Sequence, residues 1–343
     1  MLPILNKLLS IEGSEVTFAR RGFSSTRPEV QDRLEHVGTV FLLGYHAALQ
    51  ENETEALTGR LEQVTSEYRG FAYEGAAMGL ALRDGILPGS SRLTEFIADA
   101  GKRHIYMLHV GAGWACARLP WLRWRTEKFI CKFDPALRWL VLDGYGFHQG
   151  YFHFNTSQIS AVDRLSADAR HVFYQGFGRS LWFVHGCDLH RIATTISGFP
   201  EIYQSDAWSG IGLACAYAGG ASSPDMKEAV SLAGRFDCAL AQGAAFAAKA
   251  RQLAGNEVAH TEEACAVLAG IKAHEAAALC DRALTRIARN SSSPYQQWRE
   301  LVQNYFSSLR NPVRGNSHDS ELVQSLVSVK PVRAAQTEAR AKD

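Results

Sequence analysis

Six copies of a short glycine signature recur along the chain at nearly constant intervals. The signature is x-Gly-x-[Gly/Ala], and its leading glycines are Gly75, Gly111, Gly144, Gly176, Gly210 and Gly243. The intervals between them are 36, 33, 32, 34 and 33 residues, and a weaker copy at Gly38 extends the series upstream by 37. A period of roughly 34 residues is typical of α-hairpin repeats, in which each pair of helices buries its faces by stacking on its neighbours.

The segments between the signatures are typical of short second helices. "SRLTEFIADAG", "DLHRIATTISGF" and "SPDMKEAVSLAG" each end at or near glycine, and the last opens with a Ser-Pro start signal. One alternating stretch, "EKFICKFDPALRWLVLDGY", fits a helix with Asp134 as N-cap and Pro135 in the first turn better than strands. The sequence therefore predicts an all-α fold, a TPR- or HEAT-like solenoid or a helical toroid, with about six to seven repeats of roughly 34 residues.

Three regions are expected along the chain. Residues 1–30 form an N-terminal segment, 31–310 a single helical-repeat domain, and 311–343 a disordered tail, because the last stretch is polar and has no aromatic residue. Alanine- and leucine-rich helices after the sixth signature, with a start signal near Thr261, are expected to cap the domain.

Composition indicates which classes of partner and which cellular location to expect. Lys plus Arg number 36 against 35 Asp plus Glu, without a basic stripe, so no nucleic-acid partner is expected. No apolar run approaches the roughly 18 to 20 residues of a membrane helix, and no cleavable leader is evident, so a cytoplasmic location is expected. The seven cysteines lack a C-x-x-C pair and are expected to be reduced and structural.

A glycine repeated at one helical position needs a physical reason, because glycine inside a helix costs roughly 0.5 to 1 kcal/mol relative to alanine. Close approach is that reason, either of helix to helix or of helix to a ligand, and both explanations stay open. The residues that precede the glycines are mostly polar: Glu74, Val110, Asp143, Gln175, Ser209 and Gln242.

If these positions share a face, they line a channel suited to a long, flat, unsaturated molecule. Arg179 is a further polar candidate for that lining. The aromatic residues expected to accompany them are Tyr73, Trp114, Tyr145, Phe147, Phe177, Trp182 and Trp208.

Four residues are candidates for acid–base chemistry. Glu74, Asp143 and Asp206 lie in or beside signatures, where burial in an apolar wall would raise their pKa values toward the range of proton transfer. His148 is the fourth. A structural role is the alternative for each acid, as a helix cap or as the partner of an arginine such as Arg83, Arg118 or Arg179.

Two histidine pairs give a weak indication of a metal site. His148 and His153, and His185 and His190, are each five residues apart, which does not place both rings on one helical face. Hydrogen-bonded or exposed histidines are the simpler interpretation. No H-E-x-x-H, G-x-S-x-G, P-loop or dinucleotide fingerprint occurs, so the sequence names no cofactor.

Seven separated stretches between residues 15 and 270 carry a family resemblance: "TFARRGF", "YRGFAYEGAAMGLALRDG", "HVGAGWACARLP", "RWLVLDGYGFHQGYFH", "QGFGRSLWFVHG", "SDAWSGIGLACAYAGG" and "LAQGAAFAAKAR". The chain resembles the enediyne-biosynthesis accessory proteins of the UnbL type, a family whose domain has no assigned function. The resemblance implies a role in the processing of a linear polyene from an iterative polyketide synthase. It also implies two companions: a UnbV-type protein and a membrane protein similar to the D subunit of ion-pumping electron-transport complexes, through which the chain would reach the membrane.

Three functions remain open at the level of sequence. The protein binds the polyene or presents it to the companions; or it is itself an enzyme that carries out an oxidative or acid–base step; or it is a scaffold that grips a protein partner. In the third case Trp121 and Trp124, in "PWLRWR", are expected to be exposed and to contact that partner.

Overall fold

The computed structural model describes residues 8–87, 89–154, 162–287, 291 and 293–310. All regular secondary structure in these ranges is helical, which confirms the predicted all-α class. The long helices are α2 Pro28–Gln50, α4 Ser66–Ile86, α6 Ile105–Arg118, α9 Leu140–His153, α10 Ala167–Val184, α12 Glu201–Ala218 and α14 Asp237–Ala254. The others are α1 Phe18–Arg21, α3 Thr54–Glu62, α5 Arg92–Ala98, α7 Pro120–Arg123, α8 Thr126–Ile130, α11 Leu189–Ser197, α13 Ser223–Ala233, α15 Ala259–Ala264, α16 Ala273–Leu284 and α17 Pro294–Arg310.

Short helical turns join several of these elements. They are 3-10 turns at Gly13–Val16, Lys102–His104, Val162–Arg164 and Gly234–Phe236, and a π-helical turn at Cys265–Ala269. Short helices are confirmed in the three segments predicted from sequence, as α5, α11 and α13. Side chains of the preceding residues cap the N-termini of two of them: Asp188 accepts from the Arg191 backbone N–H, and Ser222 forms a reciprocal capping box with Asp225.

Each long helix packs on the next one in chain order, and the glycine signatures lie at these contacts. The leading glycine faces the preceding helix. A Cβ added to Gly176 would lie 1.8 Å from the Asp143 carbonyl oxygen, so only glycine permits this approach. The equivalent contacts pair Gly75 with Phe41, Gly111 with Glu74, Gly144 with Val110, Gly210 with Gln175, and Gly243 with Ser209.

The second small residue of the signature faces the following helix. A Cβ on Gly178 would lie 2.3 Å from the Ala207 carbonyl oxygen. The same relation holds for Gly113 with Val141, Gly146 with Phe173, and Gly212 with Leu240. One signature therefore brings a helix close to two neighbours, which explains why its small residues are two positions apart.

The weak upstream copy at Gly38 is in the wrong register. An added Cβ there would meet Val16 of the N-terminal segment instead of a neighbouring long helix. The contacting positions of α2 are Phe41, whose carbonyl oxygen faces Gly75, and Gly44, which faces the Ala72 carbonyl oxygen. Leu42 thus occupies the place of the leading glycine, 33 residues before Gly75.

Contacts also join the beginning of the helix series to its end. The Arg33 side chain of α2 donates to the Ala218 carbonyl oxygen at 2.6 Å and forms an ion pair with Glu67. Arg251 of α14 donates to the Glu67 carbonyl oxygen at 2.8 Å and to the Tyr217 carbonyl oxygen at 2.6 Å. The first two long helices of the series therefore contact the sixth and seventh.

Two further segments pack against the long helices. In the N-terminal segment, Val16 and Phe18 are buried, and the Tyr45 hydroxyl donates to the Leu9 carbonyl oxygen at 2.6 Å. Near the other end of the described chain, α17 packs on α14 and α16 and buries Trp298, whose indole N–H donates to the Cys280 carbonyl oxygen. Residues of these two segments are therefore part of the core.

Two predicted helix starts are wrong. Asp134 does not cap α9 itself, which begins at Leu140; its carboxylate accepts from the Ala136 and Leu137 backbone N–H groups and caps a turn, containing Pro135, that leads into α9. Thr261 lies inside α15, which begins at Ala259, and its hydroxyl donates to the Ala216 carbonyl oxygen. The predicted boundaries 1–30 and 31–310 stay predictions, and the tail at 311–343 falls outside the described residues.

Candidate functional site

A small apolar cavity lies among the long helices, beneath the N-terminal segment. Its volume is about 50 Å³. Helices α2, α4, α6, α9, α10 and α12 all contribute to its wall, together with Ile11 and Val16. The aromatic lining consists of Phe41, Phe71, Trp114, Phe147, Tyr151, Phe152, Phe183 and Tyr217.

Three charged side chains interrupt this apolar wall. Glu74 and Arg179 are 3% and 5% exposed, while Arg118 is exposed to solvent at the end of α6. The Trp114 indole N–H donates to the Glu74 carboxylate at 3.1 Å. The Arg179 guanidinium stacks over the Phe147 ring at 4.5 Å. The cavity is thus apolar, with a buried carboxylate and guanidinium at one side and a solvent-exposed cation at another.

A second apolar space adjoins the first. Its volume is about 40 Å³, and its lining includes Met107, Asp143 and Trp298. Arg179, Leu213 and Tyr217 line both spaces. These three side chains therefore form the partition between them.

Arg179 links the carboxylates on the two sides of the partition. Its Nη2 lies 2.7 Å from Asp143 Oδ1 and 3.8 Å from Glu74 Oε1. The Gln175 amide donates to Asp143 Oδ2 at 2.8 Å and also contacts the Tyr295 hydroxyl at 2.9 Å. The residues that precede the first, third and fourth signatures, together with Arg179 three positions after the fourth leading glycine, thus form one buried network that ends on α17.

A second buried polar cluster lies further along the helix series. Arg299 of α17 pairs with Asp206 Oδ1 at 2.7 Å, and the His171 ring donates to Asp206 Oδ2 at 2.7 Å. The Ser209 hydroxyl donates to Gln242 Oε1 at 2.9 Å, and Arg299 Nε approaches the same oxygen at 3.5 Å. A buried charge needs a partner of opposite sign, and α17 supplies it here.

Burial shifts the protonation of several of these groups. It raises the pKa of Glu74 to about 7, although Arg179 and the Trp114 hydrogen bond act in the opposite direction. The hydrogen bond to Asp206 raises the pKa of His171. Burial, with a smaller contribution from Arg118, holds the pKa of His148 well below its ordinary value. Glu74 is therefore the carboxyl at the cavity that can exchange a proton near neutral pH.

A family model describing a protein of unknown function (DUF1702) matches residues 3–306. The chain belongs to this family. Searches of curated proteins and of solved structures found no match. Membership agrees with the predicted domain of unknown function, and the family description assigns no activity. The link to enediyne biosynthesis therefore stays a prediction.

About half of the site residues predicted from sequence come together. Glu74, Trp114 and Arg179 line the main cavity, and Asp143 and Arg179 line the adjoining space. Gln175 belongs to the network around Asp143, and Gln242 and Asp206 belong to the second cluster. The residues before the glycines do share the interior of the helix assembly, but hydrogen bonds and ion pairs occupy most of their polar atoms.

The remaining aromatic candidates lie elsewhere. Tyr73 donates to Glu62 and stacks on His104 with the ring centroids 4.0 Å apart. The Trp182 indole N–H donates to the Gly219 carbonyl oxygen at 2.9 Å. Tyr145 packs edge-on against Phe173, and Trp208 is buried. None of Tyr73, Tyr145, Trp182 and Trp208 lines either cavity, so their positions indicate helix packing.

The histidine pairs do not assemble a metal site. His148 packs edge-on against Trp114, and its ring centroid is 6.1 Å from that of His153. His185 contacts the Thr195 hydroxyl, and exposed His190 contacts Glu228. Within the described ranges, no group of three His, Cys, Asp or Glu residues has the arrangement of a metal site.

Sequence reasoning missed several residues of the site. Tyr217 lies outside the signatures, at the end of "SGIGLACAYAGG", and lines both cavities. Tyr295 and Arg299 lie beyond the last signature, in a segment of low hydrophobicity that gave no sign of packing on the interior. A usable signal was the i, i+3, i+4 spacing of Tyr295, Trp298 and Arg299 on one face of a helix.

Proposed function

We propose that the protein binds an elongated, apolar, unsaturated small molecule in the cavity among its long helices. The observation that carries the proposal is the cavity wall, to which six long helices contribute eight aromatic rings and few charges. Sites for small apolar ligands are typically concave and aromatic, with a small number of polar groups that fix orientation. The resemblance to enediyne accessory proteins suggests the ligand, a linear polyene.

The helical-repeat architecture belongs to this proposal. The glycine contacts repeat with the period of the sequence signature, and Arg33 and Arg251 link the first helices of the series to the last. We infer a closed ring of α-hairpin repeats, the toroidal form of the predicted fold. A closed ring places one residue of each repeat toward a common interior, which suits a binding cavity better than a broad concave surface.

Binding requires the cavity to widen. Ligand sites usually measure about 300 to 1,000 Å³, whereas this cavity has about 50 Å³. The N-terminal segment is the part best placed to move away from the cavity. Its residues Ile11 and Val16 form one side of the cavity wall, and the segment does not belong to the series of long helices. A polyene would then lie along the aromatic wall with a polar end near Arg118 and its other end toward Glu74 and Arg179.

The companions suggested by the resemblance fit a binding role. A membrane electron-transport-like protein and a UnbV-type protein would act on a polyene that this chain holds or presents. The role is that of an accessory protein in polyketide natural-product biosynthesis. The rival role of a scaffold predicts a stable complex with a companion and an empty interior.

A second candidate function is proton transfer to the bound polyene. Glu74 favours it, because this carboxyl faces the cavity and its pKa is raised to about 7. Asp143 and Asp206 are less suited than the sequence suggests, because Arg179 and Arg299 already pair with them. Replacement of Glu74 by Gln should abolish conversion of the polyene and preserve its binding if Glu74 is the acid–base group.

Native mass spectrometry with a conjugated polyenoic fatty acid tests the binding proposal. One ligand per chain is expected, and a Leu213→Trp variant should lose it, because Leu213 lines both spaces and the larger ring fills them. A Leu253→Trp variant is the control, since Leu253 is 38% exposed and lines neither cavity. Absence of a stoichiometric complex, or equal binding by both variants, would contradict the proposal.

A further inference from the structure

An unusual concentration of cations and exposed tryptophan follows the end of α6. Trp121 and Trp124 are 51% and 73% exposed, although large apolar side chains are mostly buried in this protein. The exposed side chains of this stretch together form what we call the basic-aromatic surface: Trp121, Arg123, Trp124, Arg125, Lys128 and Lys132. It lies on α7, α8 and the turn that follows them.

The charge of this surface is not balanced by acids. Residues 118–132 contain five Lys and Arg and one acid, Glu127, a net charge of +4, whereas the whole chain carries +1. Glu127 accepts a hydrogen bond from the Ser166 backbone N–H. Several exposed cations elsewhere do form ion pairs, as Arg20 does with Glu15 and Arg235 does with Glu201. No ion pair with a described residue involves the cations of this surface.

The tryptophan rings are held in place although they are exposed. The Trp121 indole N–H donates to the Gly85 carbonyl oxygen at 3.1 Å, which fixes the ring at the surface. The Arg164 guanidinium lies 5.0 Å from the centre of the Trp124 ring. Tryptophan rings flanked by Lys and Arg are characteristic of segments that lie at the interface of a membrane, where the ring occupies the headgroup region and the cations attract anionic lipid.

We propose that the basic-aromatic surface docks the protein peripherally on an anionic lipid bilayer. This inference goes beyond the proposed function, because it needs neither the polyene nor a companion protein. In the part of the chain that the structure describes, no helix has the length and apolarity to cross a bilayer. An acidic protein is the competing partner, but the two protruding indoles favour a lipid interface over a purely electrostatic contact.

The location of this surface connects it to the cavity. Arg118 lines the cavity and is the last residue of α6, and α7 begins two residues later at Pro120. Docking would therefore bring the Arg118 side of the cavity toward the bilayer. An apolar molecule dissolved in the membrane could then enter the protein with little exposure to water.

Co-sedimentation of the full chain with lipid vesicles tests the inference. We expect binding to vesicles of phosphatidylcholine and phosphatidylserine mixed two to one, and much weaker binding to phosphatidylcholine alone. A Trp124→Ala, Arg125→Gln, Lys128→Gln variant should bind the anionic vesicles about fivefold more weakly for each cation removed, since each contributes about 1 kcal/mol. Raising the salt concentration should weaken the wild-type interaction.

The control variant is Ile202→Ala, Lys227→Gln, which alters an exposed apolar residue and an exposed cation outside this surface. It should bind vesicles like the wild type, and circular dichroism should show both variants folded. The inference would be overturned if the wild type failed to bind anionic vesicles at low salt, or if the triple variant bound them as well as the wild type. The first result would direct the search to an acidic protein partner. Polyene binding without vesicles is measured separately, so its failure would affect only the proposed function.

Discussion

The guanidinium of Arg179 lies 2.7 Å from the carboxylate of Asp143, and both side chains are buried at the partition between the two interior spaces. Asp143 precedes the glycine of one signature, and Arg179 follows the glycine of the next by three residues. The glycine signatures that bring the helices into contact thus also bring two opposite charges together in the interior. The pair is the central electrostatic element of the candidate site.

Replacement of Arg179 by Met should destabilise the protein strongly. The change leaves Asp143 without its cation in a buried position, and loss of one partner of a buried ion pair costs about 3 to 5 kcal/mol. Replacement of both residues, Arg179→Met with Asp143→Leu, should recover most of the loss. The measurement is the free energy of unfolding in urea; equal stability of the single variant and the wild type would refute a structural role for the pair.

Replacement of Gly176 by Ala tests the close packing of the long helices. The added methyl group would lie 1.8 Å from the Asp143 carbonyl oxygen, so the helices must separate, at a cost of about 1 to 3 kcal/mol or more. Gly59 is the matched control, because it is exposed on α3 and has no atom within 4 Å of an added Cβ. Gly59→Ala should stabilise the protein by about 0.5 to 1 kcal/mol. Thermal unfolding of both variants measures the contrast.

The raised pKa of Glu74 predicts a specific dependence of stability on pH. The folded state holds this proton up to about pH 7, whereas the carboxyl of the unfolded chain releases it near its ordinary pKa of 4.5. The stabilising contribution is therefore complete below about pH 4.5 and is lost as the pH rises through 7, by at most about 1.4 kcal/mol per pH unit.

A Glu74→Gln variant isolates this contribution. The neutral amide cannot ionise, so the variant should gain stability relative to the wild type between pH 5 and pH 8, as measured by urea unfolding at each pH. Glu55→Gln, on the exposed face of α3, should show no such change. A pH-independent difference between Glu74→Gln and the wild type would contradict the assignment.

Replacement of Tyr295 by Phe tests the connection between α17 and the interior network. The change removes the hydroxyl that contacts Gln175 at 2.9 Å, and loss of a buried hydrogen bond costs about 1 kcal/mol. Tyr305→Phe is the control on the same helix, since Tyr305 is only partly buried and its ring packs edge-on against Phe306. A loss for Tyr295→Phe no greater than that of the control would show that the hydroxyl does not stabilise the network.

The sequence predicted the interior polar face because glycine spacing carries geometric information. The period of the signature predicts where the long helices lie. The residue before each glycine has its carbonyl oxygen against a neighbouring helix, and polar side chains at this position, such as Asp143 and Gln175, lie in the interior. The predictions that failed, and the site residues that were missed, depend on contacts between residues distant in sequence. Gly38 has the right spacing but faces Val16, and no local pattern shows that Arg299 meets Asp206, 93 residues earlier.

Fluorescence of Trp114 tests the central claim most directly. Its indole lines the cavity 3.1 Å from Glu74, so a conjugated polyenoic acid bound there should quench it efficiently. Titration of wild type, Trp114→Phe and Trp124→Phe compares a cavity indole with an exposed one. We expect saturable quenching that Trp114→Phe reduces strongly and Trp124→Phe leaves unchanged; the absence of saturable quenching, or its loss in Trp124→Phe alone, would contradict a ligand site in the interior.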